Sequence, residues 1–210
     1  MKKVLFAAVA VFAFGTANAQ DMSFGAKAGL NVSNLTGDIE DTKSLIGAHV
    51  GVFAEFKITD KFSFQPELLY SMQGAKTEFT EVEGDSYSYK EESKIKLSYI
   101  NIPLMAKFYV SEKFSLEAGP QVGFLMSAKN DFEISETIDG DTDSFSSEED
   151  IKDSLKGIDF GLNLGLSYDF TENLFAGARY NLGLTDLNDT DAENFEIKNS
   201  GFQVSVGFRF

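Results

Sequence analysis

Residues 100–126, INIPLMAKFYVSEKFSLEAGPQVGFLM, decide the fold. Before the central Ser111-Glu112-Lys113 the even positions are apolar: Ile100, Ile102, Leu104, Ala106, Phe108 and Val110. The same parity resumes in Phe114, Leu116, Ala118, Pro120, Val122, Phe124 and Met126, while odd positions include Asn101, Lys107, Glu117, Gly119, Gln121 and Gly123. A period of two sustained over this length is a strand with one apolar face, and a short polar break between two such runs is a hairpin. If Val110 pairs with Phe114, Lys107 lies opposite Glu117 on the polar face, which predicts an ion pair there.

The pattern repeats outward in both directions. It appears in Phe24–Val32, Ile46–Phe56 and Phe62–Met72, and again in Ile158–Phe170, Leu174–Leu184 and Phe202–Phe210. With the two central runs this makes eight strands of about ten residues or more, the length a tilted strand needs to cross a bilayer. Strands of a soluble sandwich average only about five or six residues. Thr59-Asp60-Lys61, Ser111-Glu112-Lys113 and Thr171-Glu172-Asn173 share one turn grammar, an internal hairpin repeat. The expected fold is therefore all-β: an eight-stranded antiparallel transmembrane β-barrel with short periplasmic turns and long extracellular loops. An even strand number brings both termini to one side, where the first and last strands close the sheet.

The polar parity describes the interior. It is rich in glycine, which suits a narrow closed cylinder. It also carries Lys27, Glu55, Glu67, Lys107, Glu117, Asp159, Arg179 and Arg209, four of each sign, with Gln65, Asn101, Gln121, Asn163, Asn181 and Gln203 between them. Balanced charge predicts a self-neutralising network rather than an ion-selective lumen, and eight strands leave room only for side chains or one small ligand. Aromatic residues gather near strand ends, at Phe56, Phe62, Phe108, Tyr109, Phe114, Tyr168, Phe170 and Phe208, as interfacial girdles would. One departure stands out: Ile95, Leu97 and Tyr99 are apolar on the odd parity, which a bulge or an extension of the strand beyond the membrane would explain.

Composition excludes several chemistries. The chain has 210 residues, 18 Lys+Arg, 33 Asp+Glu, a net charge of −15 and no cysteine. The cysteine count removes disulfides, Cys-ligated metals, a thiol nucleophile and a lipidated amino-terminal Cys. The charge repels phosphate backbones, so no nucleic acid is expected as a partner. Lys2 and Lys3, the apolar run from Val4, and Ala17-Asn18-Ala19 read as a cleaved signal peptide over 1–19, leaving 20–210 as the barrel domain. The four long connections, about 34–45, 74–94, 129–156 and 186–199, hold 24 of the 33 acidic residues, so the external surface is strongly acidic.

Two clusters invite a chemical reading. His49 is the single histidine and points inward, but Glu55 lies about 20 Å further along its own strand at 3.3 Å per residue, so a Ser63–His49–Glu55 relay fails, and only a partner from another strand would make a triad. Asp139-Gly140-Asp141-Thr142-Asp143-Ser144, with Asp150 at the twelfth position, overlaps a calcium-loop pattern; Ser144 stands where that pattern has Gly and Asp150 where it has Glu. A solvated acidic loop is the simpler reading. No catalytic, cofactor-binding or metal-ligating residue is assigned, no cofactor is expected, and the chain is read as no enzyme.

The carboxyl end alternates Phe202, Val204, Val206, Phe208 to a terminal Phe210, which resembles the signal that barrel-assembly machinery reads on outer-membrane barrels. With 24–37, 64–76, 99–110, 114–129 and 160–187 it makes the mature chain similar to PorT-family outer-membrane β-barrel proteins. The resemblance implies residence in the cell outer membrane, with lipid and the assembly machinery as partners. The expected role is non-enzymatic, structural or partner-binding through the acidic loops, which would meet a surface protein or ligand. An accessory part in protein secretion across the outer membrane and a narrow small-solute channel are the alternatives.

Overall fold

The computed structural model describes residues 22–39, 41–83, 87–190 and 195–210. The expected leader over 1–19 lies outside the described residues. No described helix is long and apolar enough to cross a membrane. The chain crosses with strands.

The strands are β1 (Met22–Gly37), β2 (Lys43–Thr59), β3 (Phe62–Glu83), β4 (Tyr87–Tyr109), β5 (Phe114–Ile138), β6 (Asp141–Asp150), β7 (Ile158–Asp169), β8 (Leu174–Gly183) and β9 (Ile197–Arg209). All pairings are antiparallel. Eight of them, all but β6, form a ring in which β5 pairs with both β4 and β7 and β1 closes on β9 from Gly25↔Arg209 to Gly37↔Ile197. Ring closure satisfies the backbone hydrogen bonds that lipid cannot, and leaves no edge at membrane depth. The apolar parity faces outward, as at Leu30, Val50, Leu164 and Val206, all exposed on the lipid side. Two of the three tight turns show what the shared grammar supplies. The Thr59 hydroxyl accepts the N–H groups of Lys61 and Phe62, and the Thr171 hydroxyl accepts those of Asn173 and Leu174.

The second and third external connections differ from the expected polar loops. The β3–β4 ladder continues unbroken from Leu69↔Asn101 to Glu83↔Tyr87, and β5 runs on beyond the ring to pair with β6. These segments alternate Thr, Phe, Tyr and Ile with charges, so they keep strand propensity after leaving the membrane. A ninth strand results, and β3, β4, β5 and β6 stand out from the barrel as a four-stranded projecting sheet. The β5–β6 turn is Asp139-Gly140, with φ of +50° and +91°, the left-handed pair that a two-residue hairpin turn requires.

This sheet also accounts for Ile95, Leu97 and Tyr99. Strand β4 keeps one parity throughout: Leu97 and Tyr99 are buried on the same inward side as Asn101. The bulge falls on β5, where the pairs Ser98↔Ser127 and Tyr99↔Leu125 leave Met126 between them. The inward residues here are apolar because they build a plug across the external mouth, with Leu35, Ala75, Leu125, Ala128 and Leu187, and Ile39, Ile151 and Leu155 packed against it.

Candidate functional site: a closed interior and a projecting sheet

Beneath the plug the interior is polar and tightly paired. Lys27 Nζ lies 2.5 Å from Glu67, and Arg179 grips both Glu67 oxygens at 2.9 and 3.0 Å. The same guanidinium reaches Glu117 at 2.7 Å. Lys107 stands 3.6 Å from Glu117 and 3.6 Å from Glu55, and donates to the Gln65 side chain at 3.2 Å. Arg209 links Glu55, 3.2 Å away, to Asp169 at 3.0 Å. The network therefore takes one charged residue from every strand of the ring, four cations and four anions. Lys107 pairs with Glu117 in register, as the hairpin predicts.

Asp159 does not belong to this set; its place is taken by Asp169. Both lie on the odd parity of β7, but ten residues apart, about 33 Å of extended chain. Periodicity assigns a face, not a depth. Asp159 instead sits at the external end beside Thr185, and its Oδ1, the Tyr99 hydroxyl and the Asn101 side-chain nitrogen are buried without a hydrogen-bond partner among the described residues.

Two aromatic residues share the polar parity unannounced. Phe53 and Phe175 point inward from β2 and β8 and meet edge to face at 5.5 Å. They reach each other across Gly25 and Gly207, where a Cβ would fall 2.3 Å and 2.2 Å from the two rings. Phe175 also lies 4.8 Å from the Arg209 guanidinium and 5.6 Å from Lys107 Nζ, both within cation–π range. The signal in the sequence is a Phe on the glycine-rich face with a glycine in the adjoining strand. Tyr109 likewise leaves the girdle: it turns inward and its hydroxyl donates to Glu55. The girdle itself is built at the tight-turn rim by pairs such as Phe62–Phe108 and Tyr168–Phe170.

His49 finds its partners on other strands. Nδ1 is 2.7 Å from Asn31 Oδ1 and Nε2 is 2.8 Å from Ser205 Oγ, the atom pairing of a hydrolase relay. All three residues are buried. The nearby cavity, lined by Asn31, Ser33, Gln73, Asn181 and Gln203, is about 10 Å³, the scale of one water and too small for an acyl substrate. The backbone N–H groups around Ser205 belong to the β1–β9 and β8–β9 ladders, so no oxyanion site faces it among the described residues. The trio ties three strands together. The tight-turn end opens as a vestibule of about 830 Å³ lined by Glu55, Tyr109 and Arg209.

The projecting sheet separates its charges by face. Directly paired residues share a face, so register defines both. The outer face carries Lys76, Lys90, Lys94, Lys96 and Lys129, tied to Glu78, Glu92, Asp131 and Glu148. Glu78, held by Lys43 and Lys76, has its carboxyl lowered to about 2 by those hydrogen bonds. The inner face continues the parity of the plug. Its described residues include Phe79, Tyr89, Phe132, Ile134, Ile138 and Phe145, with Glu81, Glu91, Glu136, Asp141, Asp143 and Glu149, and no lysine or arginine. Phe79 and Tyr89 meet at 6.3 Å, while Phe79, Ile138 and Phe145 are each more than half exposed. The β6 edge is unpaired along Asp141–Asp150.

The calcium-like sequence does not close into a loop here. Asp139-Gly140 is the hairpin turn and Asp141–Asp150 is extended, which carries Asp150 about 30 Å from Asp141. No group of three or more His, Cys, Asp or Glu converges to hold a metal among the described residues.

Fold and interior together define an integral outer-membrane β-barrel. The chain matches the outer membrane protein beta-barrel domain family over residues 18–189, and it belongs to that family. No curated protein matches it. Among solved structures it is similar to Ail, the attachment invasion locus protein of Yersinia pestis, at 15% identity, covering 91% of this chain and 100% of that one with a TM-score of 0.46. It is similar to Neisserial surface protein A at 17% identity, with coverage of 91% and 100% and a TM-score of 0.46. The outer membrane protein OprG of Pseudomonas aeruginosa is similar at 16% identity, with coverage of 90% and 96% and a TM-score of 0.40.

Proposed function

We propose that this barrel is a non-enzymatic surface protein whose projecting sheet binds a partner outside the cell. The observation that carries the reading is the contrast between a barrel filled by a neutral side-chain network under an apolar plug and a sheet that offers an open edge and exposed aromatics. Such exposure marks interaction surfaces. A filled interior also argues against solute conduction, and the PorT-like strand sequences bring no secretion role by themselves.

A benzophenone side chain placed at Phe145 on intact cells tests the reading, with the periplasmic turn residue Glu112 as control. Light-dependent adducts at Phe145 and not at Glu112 are expected. Their absence at Phe145 overturns it, and loss of a set of secreted proteins on deleting the gene overturns it in favour of the secretion role. Single-channel conductance in planar bilayers would overturn it in favour of the channel.

A further inference from the structure

We infer that the open β6 edge, with the acidic aromatic face beside it, takes a cationic extended polypeptide segment as an added strand. This rests on the partner-binding reading and specifies the occupant.

Three features of the sheet converge on that chemistry. An edge strand presents a row of unpaired N–H and C=O groups, and an extended segment satisfies them by adding to the ladder. Strand β6 runs Asp141–Asp150 with every residue exposed, so nothing among the described residues covers that row. The described lysines of the sheet lie on the outer face, where each pairs with a neighbouring carboxylate. The inner face has six described carboxylates and no cation to answer them. Its field is negative and unscreened by the protein's own side chains, and a partner with alternating Lys or Arg would be steered there.

Register specifies the pattern. On β6 the inner-face residues are Asp141, Asp143, Phe145, Ser147 and Glu149. An added strand places alternate side chains beside them. Cations suit the places next to Asp141, Asp143 and Glu149, an aromatic ring suits the place next to Phe145, and a small residue suits Ser147. A free cationic helix or a folded basic surface would meet the acids but leave the edge unpaired.

The test uses the full chain refolded in detergent and the peptide KTKTFTSTKT, with its reversed sequence to cover both strand directions. One of the two is expected to bind saturably below about 100 µM, weakening about tenfold as ionic strength rises from about 0.05 to about 0.5 M. The amides of Asp141–Asp150 should gain protection from hydrogen exchange. N-methylation of alternate peptide residues should abolish binding, since it removes the ladder while leaving the charges. The inner-face pair Glu136→Gln with Asp143→Asn should weaken it about tenfold, while the outer-face Glu133→Gln should not. Heat-modifiable gel migration confirms that each variant is folded. No binding by either peptide, equal binding of the N-methylated form, or equal binding of a peptide with Glu for Lys overturns the inference. If adducts form at Phe145 on cells but neither peptide binds, the occupant is wrong and the partner-binding reading stands. If both fail, both fall.

Discussion

Strands β3, β4 and β5 lead two lives. Below the plug their inward side chains, Glu67, Lys107 and Glu117, are buried and held by partners from other strands. Above it the same face, shifted on β5 from odd to even positions by the bulge at Met126, carries Phe79, Tyr89, Glu91, Ile134 and Glu136, with no opposite wall among the described residues. A charge buried inside a closed ring must be neutralised locally, because desolvation costs more than one pairing returns. On an open sheet water screens each charge, so acids can accumulate on one face and lysines on the other. The difference teaches that closure, not residue type, decides whether the charges of a strand stabilise the fold or present a surface.

The largest effect is expected from opening the interior network. Arg179→Met leaves Glu67 and Glu117 buried without their guanidinium and should cost about 3–5 kcal/mol, read as a lower urea midpoint or loss of the folded gel species. Adding Glu67→Gln should recover part of that loss; no recovery would mean that packing rather than charge holds the site. Phe53→Ala should cost about 3 kcal/mol by removing half of the ring pair that spans Gly25 and Gly207. His49→Ala should cost about 1–3 kcal/mol, because Asn31 and Ser205 lose a buried partner.

The projecting sheet should respond weakly and differently. Glu78 has its carboxyl depressed from an ordinary 4.5 to about 2, so the Lys43–Glu78–Lys76 clamp contributes fully above about 4.5 and is lost as pH falls toward 2. Hydrogen exchange at residues 76–80 should therefore speed up over that interval while the barrel amides stay protected. Smallest of all, Lys96→Ala breaks an exposed pair with Asp131 and should leave the urea midpoint unchanged. A fall as large as that for Arg179 would erase the distinction between the two regions.

Much of the barrel was legible in the linear sequence, because its determinants are local. Alternation of side chains sets the inward and outward faces, and a three-residue turn fixes the register of its own hairpin, so Lys107 opposite Glu117 follows from counting. Seven of the eight network charges are legible on parity alone. The same alternation runs through 77–83 and 132–138, so the projecting hairpins follow the rule that identifies the membrane strands, although their polarity reads as loop. Depth and cross-barrel contact are decided by the tertiary structure. Asp169 and Asp159 share a face, and only strand stagger decides which one meets Arg209. Arg179 and Glu67 are 112 residues apart and Phe53 and Phe175 sit on separate strands, so their contacts exist only once the sheet has curled closed. The acidic inner face above the plug is decided in the same way: composition supplies the carboxylates, and the ladder sorts them from the lysines.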